Sequence, residues 1–109
     1  VVGRHDDILR LRGGAGRTVA LLPLALSTVM EEGAGVFDFQ IVQRDDRTLV
    51  VRLPEQGAAG EQALARCRDA LVAFAREHGV VPLRVLGELG QAVPRGRSGK
   101  SCRVQVKNG

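Results

Sequence analysis

The chain has 109 residues, 44% of them apolar and 3% aromatic, with 16 Lys+Arg against 12 Asp+Glu and a formal charge of +4. This is one domain with one modest core, thin for a complete enzyme that must enclose two substrates. No apolar run approaches the roughly 18 residues of a membrane span, so a membrane partner is not expected.

The opening Val1-Val2-Gly3-Arg4 is no signal peptide. Cys67 and Cys102 lack metal or redox spacing, which points to reduced thiols and a cytoplasmic setting. The positive charge is a tail. From Arg84 onward there are six basic residues (Arg84, Arg95, Arg97, Lys100, Arg103, Lys107) and one acid, Glu88. The rest of the chain holds 10 Lys+Arg and 11 Asp+Glu. A basic tail attracts anions.

In chain order, Ile8 to Leu11 and Thr18 to Leu22 read as two strands of a hairpin, joined through Gly13, Gly14 and Gly16. Pro23 suits the first turn of a helix from Leu24 to Glu32, with Leu26, Val29 and Met30 at helical spacing and Gly33 and Gly35 ending it. Val36 to Gln43 alternates, placing Phe37, Phe39 and Ile41 on a core face. Asp45-Asp46 is the turn, and Thr48 to Leu53 returns with Leu49, Val51 and Leu53 inward. Gly57 to Gly60 reads as a loop.

Glu61 to His78 is the clearest helix. Leu64, Cys67, Leu71 and Phe74 form its apolar stripe, Gly79 caps it, and His78 sits at the negative end of its dipole. Pro82 to Leu86 reads as a further core strand, and Gly87 onward loosens. The expected fold is α+β: a small, mostly antiparallel sheet with helices packed on one face.

Gly99-Lys100-Ser101 matches the end of a phosphate-binding P-loop, but Pro94 stands where its first glycine belongs. The strand-before, helix-after context is also missing. His5 and His78 have no partner at metal-ligand spacing. Three Phe, all assigned to the core, leave no platform for stacked bases, so no nucleic-acid partner is expected.

Two motifs at opposite ends remain: Gly3-Arg4-His5-Asp6-Asp7, running into the glycine hairpin, and Pro94-Arg95-Gly96-Arg97-Ser98-Gly99-Lys100-Ser101-Cys102-Arg103. Together they resemble the C-terminal domain of adenylate-forming enzymes, with a Gly-Arg-x-Asp-Asp hinge and a terminal Ser/Thr-Gly-Lys loop. Val36-Phe37-Asp38-Phe39-Gln40-Ile41-Val42-Gln43 is similar to the phenylacetate-CoA ligase-like branch.

The resemblance implies a hinge at 3–7, a glycine hairpin at 8–22, an α/β core at 23–86 and a catalytic-lysine loop at 93–104. It makes Lys100 the adenylation lysine. Arg4, Ser98 and Gly99 become nucleotide contacts, Asp6 and Asp7 the hinge, and Gly13 and Gly14 the lining of a thiol channel. It also implies Mg-ATP and coenzyme A as partners of the whole enzyme, with a carrier-protein thiol as the alternative acceptor. Nothing is held tightly by these residues alone.

The substrate is a carboxylic acid, aryl by branch. The larger N-terminal nucleotide-binding domain belongs to the same polypeptide, and this domain by itself is expected to be inactive. Ala15 stands where many relatives carry a basic residue, with Arg17 nearby, and Leu24-Ala25-Leu26 replaces the usual acid after the hairpin. The competing expectation is a small regulatory or interaction module of α+β build whose basic tail binds an anionic ligand or an acidic partner.

Overall fold

The computed structural model describes residues 8–80, 82–91 and 104–106. The hinge candidates Arg4, Asp6 and Asp7 and the loop candidates Ser98, Gly99 and Lys100 lie outside these residues, as does Cys102.

Strands β1 (Leu9–Arg12) and β2 (Thr18–Leu21) form an antiparallel pair with Leu9 opposite Leu21 and Arg12 opposite Thr18. Leu9, Leu11 and Leu21 are buried while Arg10, Arg12 and Thr18 are exposed, as the two-residue period of a strand requires. The connection is a short 3-10 turn, Gly14–Gly16, in which Ala15 takes φ 60 and Gly16 φ 74.

Helix α1 (Pro23–Thr28) starts on its proline and continues without a break into a wider π turn, Val29–Gly33. Leu26 and Met30 are fully buried, on the face their spacing indicates. Val36 to Phe39 is coil with a bend at Asp38 rather than strand, so β3 begins only at Gln40 and runs to Asp45. Phe37 accordingly does not share Phe39's fate. Phe39 is 0% exposed and Phe37 is 46% exposed, which corrects its placement on a core face. Strand β4 (Thr48–Arg52) pairs antiparallel with β3, and Arg44 is the extra residue at a bulge.

Helix α2 (Gly57–Glu77) begins four residues before the expected Glu61. The Gly57 to Gly60 stretch is its first turn and not a loop. Strand β5 (Arg84–Glu88) then pairs parallel with β4, and β6 (Val104–Val106) pairs parallel with β3.

The α+β class is observed, but the pairing differs from expectation. The four-stranded sheet has order β5-β4-β3-β6 and is mixed, with only its central pair antiparallel. Strand β5 returns through α2 to lie parallel to β4, a crossover of the kind parallel neighbours need, and β6 takes the opposite edge, parallel to β3. Gly87 stays inside β5. A Cβ built there would overlap the Leu64 side chain of α2, so this glycine lets the helix lie on the sheet. That face also carries Ile41, Leu49, Val51 and Val85, all in the core with Cys67 and Leu71.

Candidate functional site

The described residues hold two of the expected site positions, Gly13 and Gly14, at the turn of the hairpin. Gly13 is buried. Its N–H donates to the Arg17 carbonyl at 2.6 Å, and a Cβ there would meet Val19 Cγ2 at 2.9 Å and the Gly79 carbonyl at 3.1 Å. Gly14 donates its N–H to the Gly79 carbonyl at 3.0 Å, yet its own Cβ position opens on empty space. The hairpin turn is thus seated on the C-terminal end of α2. Gly13 is needed for that seat, while Gly14 is free to face something else.

Side chains bind the hairpin to the large sheet. The buried Gln43 accepts the Arg10 N–H on Oε1 at 3.3 Å and donates from Nε2 to the Arg10 carbonyl at 2.8 Å. Its amide therefore pairs with β1 much as another strand would, and it also donates to the Asp45 carbonyl at 3.0 Å. At the far end of β1, Arg12 donates its backbone N–H to the Asp46 carbonyl at 2.7 Å and its Nε–H to Asp46 Oδ2 at 2.8 Å.

A second group of side chains gathers where the chain leaves β5. Arg52 donates to Glu88 Oε1 at 3.0 Å, to Gln40 Oε1 at 3.2 Å and to Gln91 Oε1 at 3.2 Å. Backbone bonds reinforce it, from Gly90 N–H to the Glu55 carbonyl at 3.0 Å and from Gln91 N–H to the Leu53 carbonyl at 2.9 Å. Gly90 has φ +69, the left-handed region that glycine enters without strain. The chain is next described at Val104, which is fully buried and paired with Ile41, the neighbour of Gln40. Gln91 and Val104, which flank residues 92–103, therefore lie at the same end of the sheet. No sequence signal singled out Arg52, because its partners come from two separate strands, β3 and β5, and the segment after β5.

A cleft of about 840 Å³ opens at the opposite end of β3 and β4, lined by Arg12, Asp45, Asp46, Arg47, Thr48, Pro82, Leu83 and Arg84. Asp45 Oδ1 accepts the Arg47 N–H at 2.9 Å. That hydrogen bond, the Thr48 hydroxyl and the nearby Arg84 charge hold its carboxyl below the ordinary carboxylate value.

Cys67 is buried on α2, and burial pushes its thiol up to about 11, which makes it packing and not a nucleophile. His78 packs its ring on Phe74 at 4.4 Å between centroids. No cluster of metal ligands is found among the described residues, nor a helix long and apolar enough to cross a membrane. Comparison of the chain with family models, with curated proteins and with solved structures gave no match.

Proposed function

We propose that this chain is the C-terminal domain of an ATP-dependent acid–thiol ligase of the adenylate-forming kind, closest to phenylacetate-CoA ligases. The observation that carries the reading is the common placement of Gln91 and Val104. A segment bearing the scarce lysine Lys100 is bounded on both sides by fixed structure at one end of the sheet. Such a base can present an ammonium group repeatedly to one place. The open Cβ position of Gly14, on a hairpin held at its other contacts, also supports it.

In this reading the larger N-terminal domain of the same polypeptide holds Mg-ATP and the carboxylic acid, aryl by branch. A carboxylate oxygen attacks the α-phosphorus and pyrophosphate leaves. Lys100 offsets the negative charge that gathers on the transferring group, and Arg4, Ser98 and Gly99 contact the nucleotide. The domain then swings about Asp6 and Asp7. A thiol, coenzyme A or a carrier-protein arm, attacks the acyl carbon beside Gly13 and Gly14, and AMP departs.

The test is ATP–pyrophosphate exchange by the parent polypeptide with a panel of aryl and alkyl acids. Lys100→Ala lowers exchange by about two to three orders of magnitude, as for loss of a group made for one charged transition state, and largely spares thioester formation from supplied adenylate. Equal loss in both steps would make the tail merely structural and favour the anion-binding module. The 109-residue chain alone folds and forms neither adenylate nor thioester.

A further inference from the structure

We propose that the cleft at the β3–β4 turn is a binding site for a phosphate dianion, held between the guanidinium groups of Arg47 and Arg84. The backbone places these residues side by side, since Arg84 donates its N–H to the Arg47 carbonyl at 2.8 Å, and both residues line the same cleft with Arg12.

The two acids in the cleft are already engaged. Asp45 accepts the N–H that follows the turn, and Asp46 accepts the Arg12 Nε–H at 2.8 Å. The side chains of Arg47 and Arg84 make no hydrogen bond or salt bridge among the described residues, and Arg84 is near enough to Asp45 only to act on it through its charge. Two planar forks with five N–H donors each match the oxygens of a tetrahedral phosphate.

The balance of charge selects the ligand. Three guanidiniums stand against two carboxylates. A carboxylate monoanion gains little from a net charge of one, and a dianion gains more from the paired forks than it loses to acids whose oxygens point at their own donors. Pro82 and the half-buried Leu83 form an apolar wall beside the arginines, which suits a phosphate carried on a ring or chain. This site does not rest on the ligase reading, for none of its residues takes part in that chemistry.

The test is a backbone-amide NMR titration of the 109-residue chain with inorganic phosphate, inorganic pyrophosphate and phenyl phosphate, each with acetate as control. Saturable shifts are expected at Arg47, Thr48 and Arg84, absent with acetate and weakened by added salt. Tighter binding of phenyl phosphate than of inorganic phosphate identifies an ester as the ligand; equal binding identifies the free ion. The double variant Arg47→Gln/Arg84→Gln weakens binding by about tenfold or more, and Arg84→Lys, which keeps the charge and loses the fork, falls between. Arg10→Gln, outside the cleft, leaves binding unchanged.

Non-saturating shifts spread over all arginines, or an equal loss with Arg10→Gln, overturn the proposal. If the double variant unfolds in a thermal melt, Arg84→Lys decides alone, and unchanged affinity there sinks the site. Binding that depends on Arg47 and Arg84 in a parent protein without adenylation activity leaves this inference standing and the ligase reading fallen.

Discussion

Gly13 and Gly14 are adjacent and chemically identical, and their surroundings assign them different tasks. A methyl on Gly13 would press on Val19 and the Gly79 carbonyl, so Gly13→Ala costs about 1–3 kcal/mol, as overpacking does. Gly14→Ala meets nothing and changes stability by no more than about 0.5 kcal/mol. On the proposed ligase reading, Gly14→Ala would nonetheless slow the thiol step of the parent protein and spare adenylation, because its methyl would enter the space the thiol needs. Denaturant melts of both variants, read beside the two half-reactions, separate packing from function. A Gly14→Ala enzyme unimpaired in thioester formation would remove that residue from the channel.

Asp45 gives a pH signature at the same scale. Its carboxyl is held below the ordinary value, so its share of stability is fully present above the unfolded-state pKa and is lost as pH falls through the lower folded one. Asp45→Asn should flatten the acid limb of the stability profile below about pH 4 and leave neutral pH nearly untouched. An unchanged acid limb would mean that the turn does not favour the ionised form.

Among the elements, periodicity made the hairpin, α1, β4 and α2 legible, since each has one face in the core and one in water. What it could not reveal was close approach between segments distant in sequence. Glycines at 57–60 read as a loop, but Gly60 is buried where a Cβ would meet the Glu55 carbonyl at 2.8 Å and Leu89 Cδ1 at 3.1 Å. Gly33 likewise brings the π turn against Ala70 of α2, 3.2 Å from the Cβ it lacks, and Arg66 closes that end by donating to the Ala34 carbonyl at 3.0 Å. Gly87, which seemed to mark loosening, seats Leu64. The alternation at Phe37 and Phe39 suggested a strand, and the chain uses only the second ring as core.

The Arg52 cluster is the element-scale feature with the clearest consequence. Its side chain is one-third exposed, so the ion pair to Glu88 is partly screened and the hydrogen bonds to Gln40 and Gln91 carry much of the effect. Arg52→Ala should cost about 1–2 kcal/mol and speed amide exchange at Gly90 and Gln91 well beyond that of β4. On the proposed ligase reading, it should lower the parent protein's adenylation more than its thioester formation, by loosening the base from which Lys100 would be presented. Uniform acceleration of exchange across β4 and α2 would mean that Arg52 holds the whole sheet rather than its exit.

At the scale of the whole molecule, the last strand decides whether the tail is part of the fold. The basic stretch from Arg84 onward has the composition of a solvated terminus, while Val104 and Val106 alternate like a strand. Val104 is fully buried against Ile41, so the chain returns to the sheet after its basic stretch and covers the β3 edge. An apolar residue buried at a sheet edge stabilises through its own area and by preventing that edge from pairing elsewhere. Val104→Ala should therefore cost about 2 kcal/mol, and Val104→Asp, which buries a charge with no partner supplied for it, should cost more. Deletion of residues 104–109 should lower the melting temperature and promote concentration-dependent association through β3. Sedimentation velocity across a tenfold range of concentration, beside thermal melts, tests both effects. A truncated chain that melts like the intact one and stays monomeric would show that β6 contributes nothing to the core. It would also leave residues 92–103 anchored on one side only, removing the main support for a lysine presented from a fixed base.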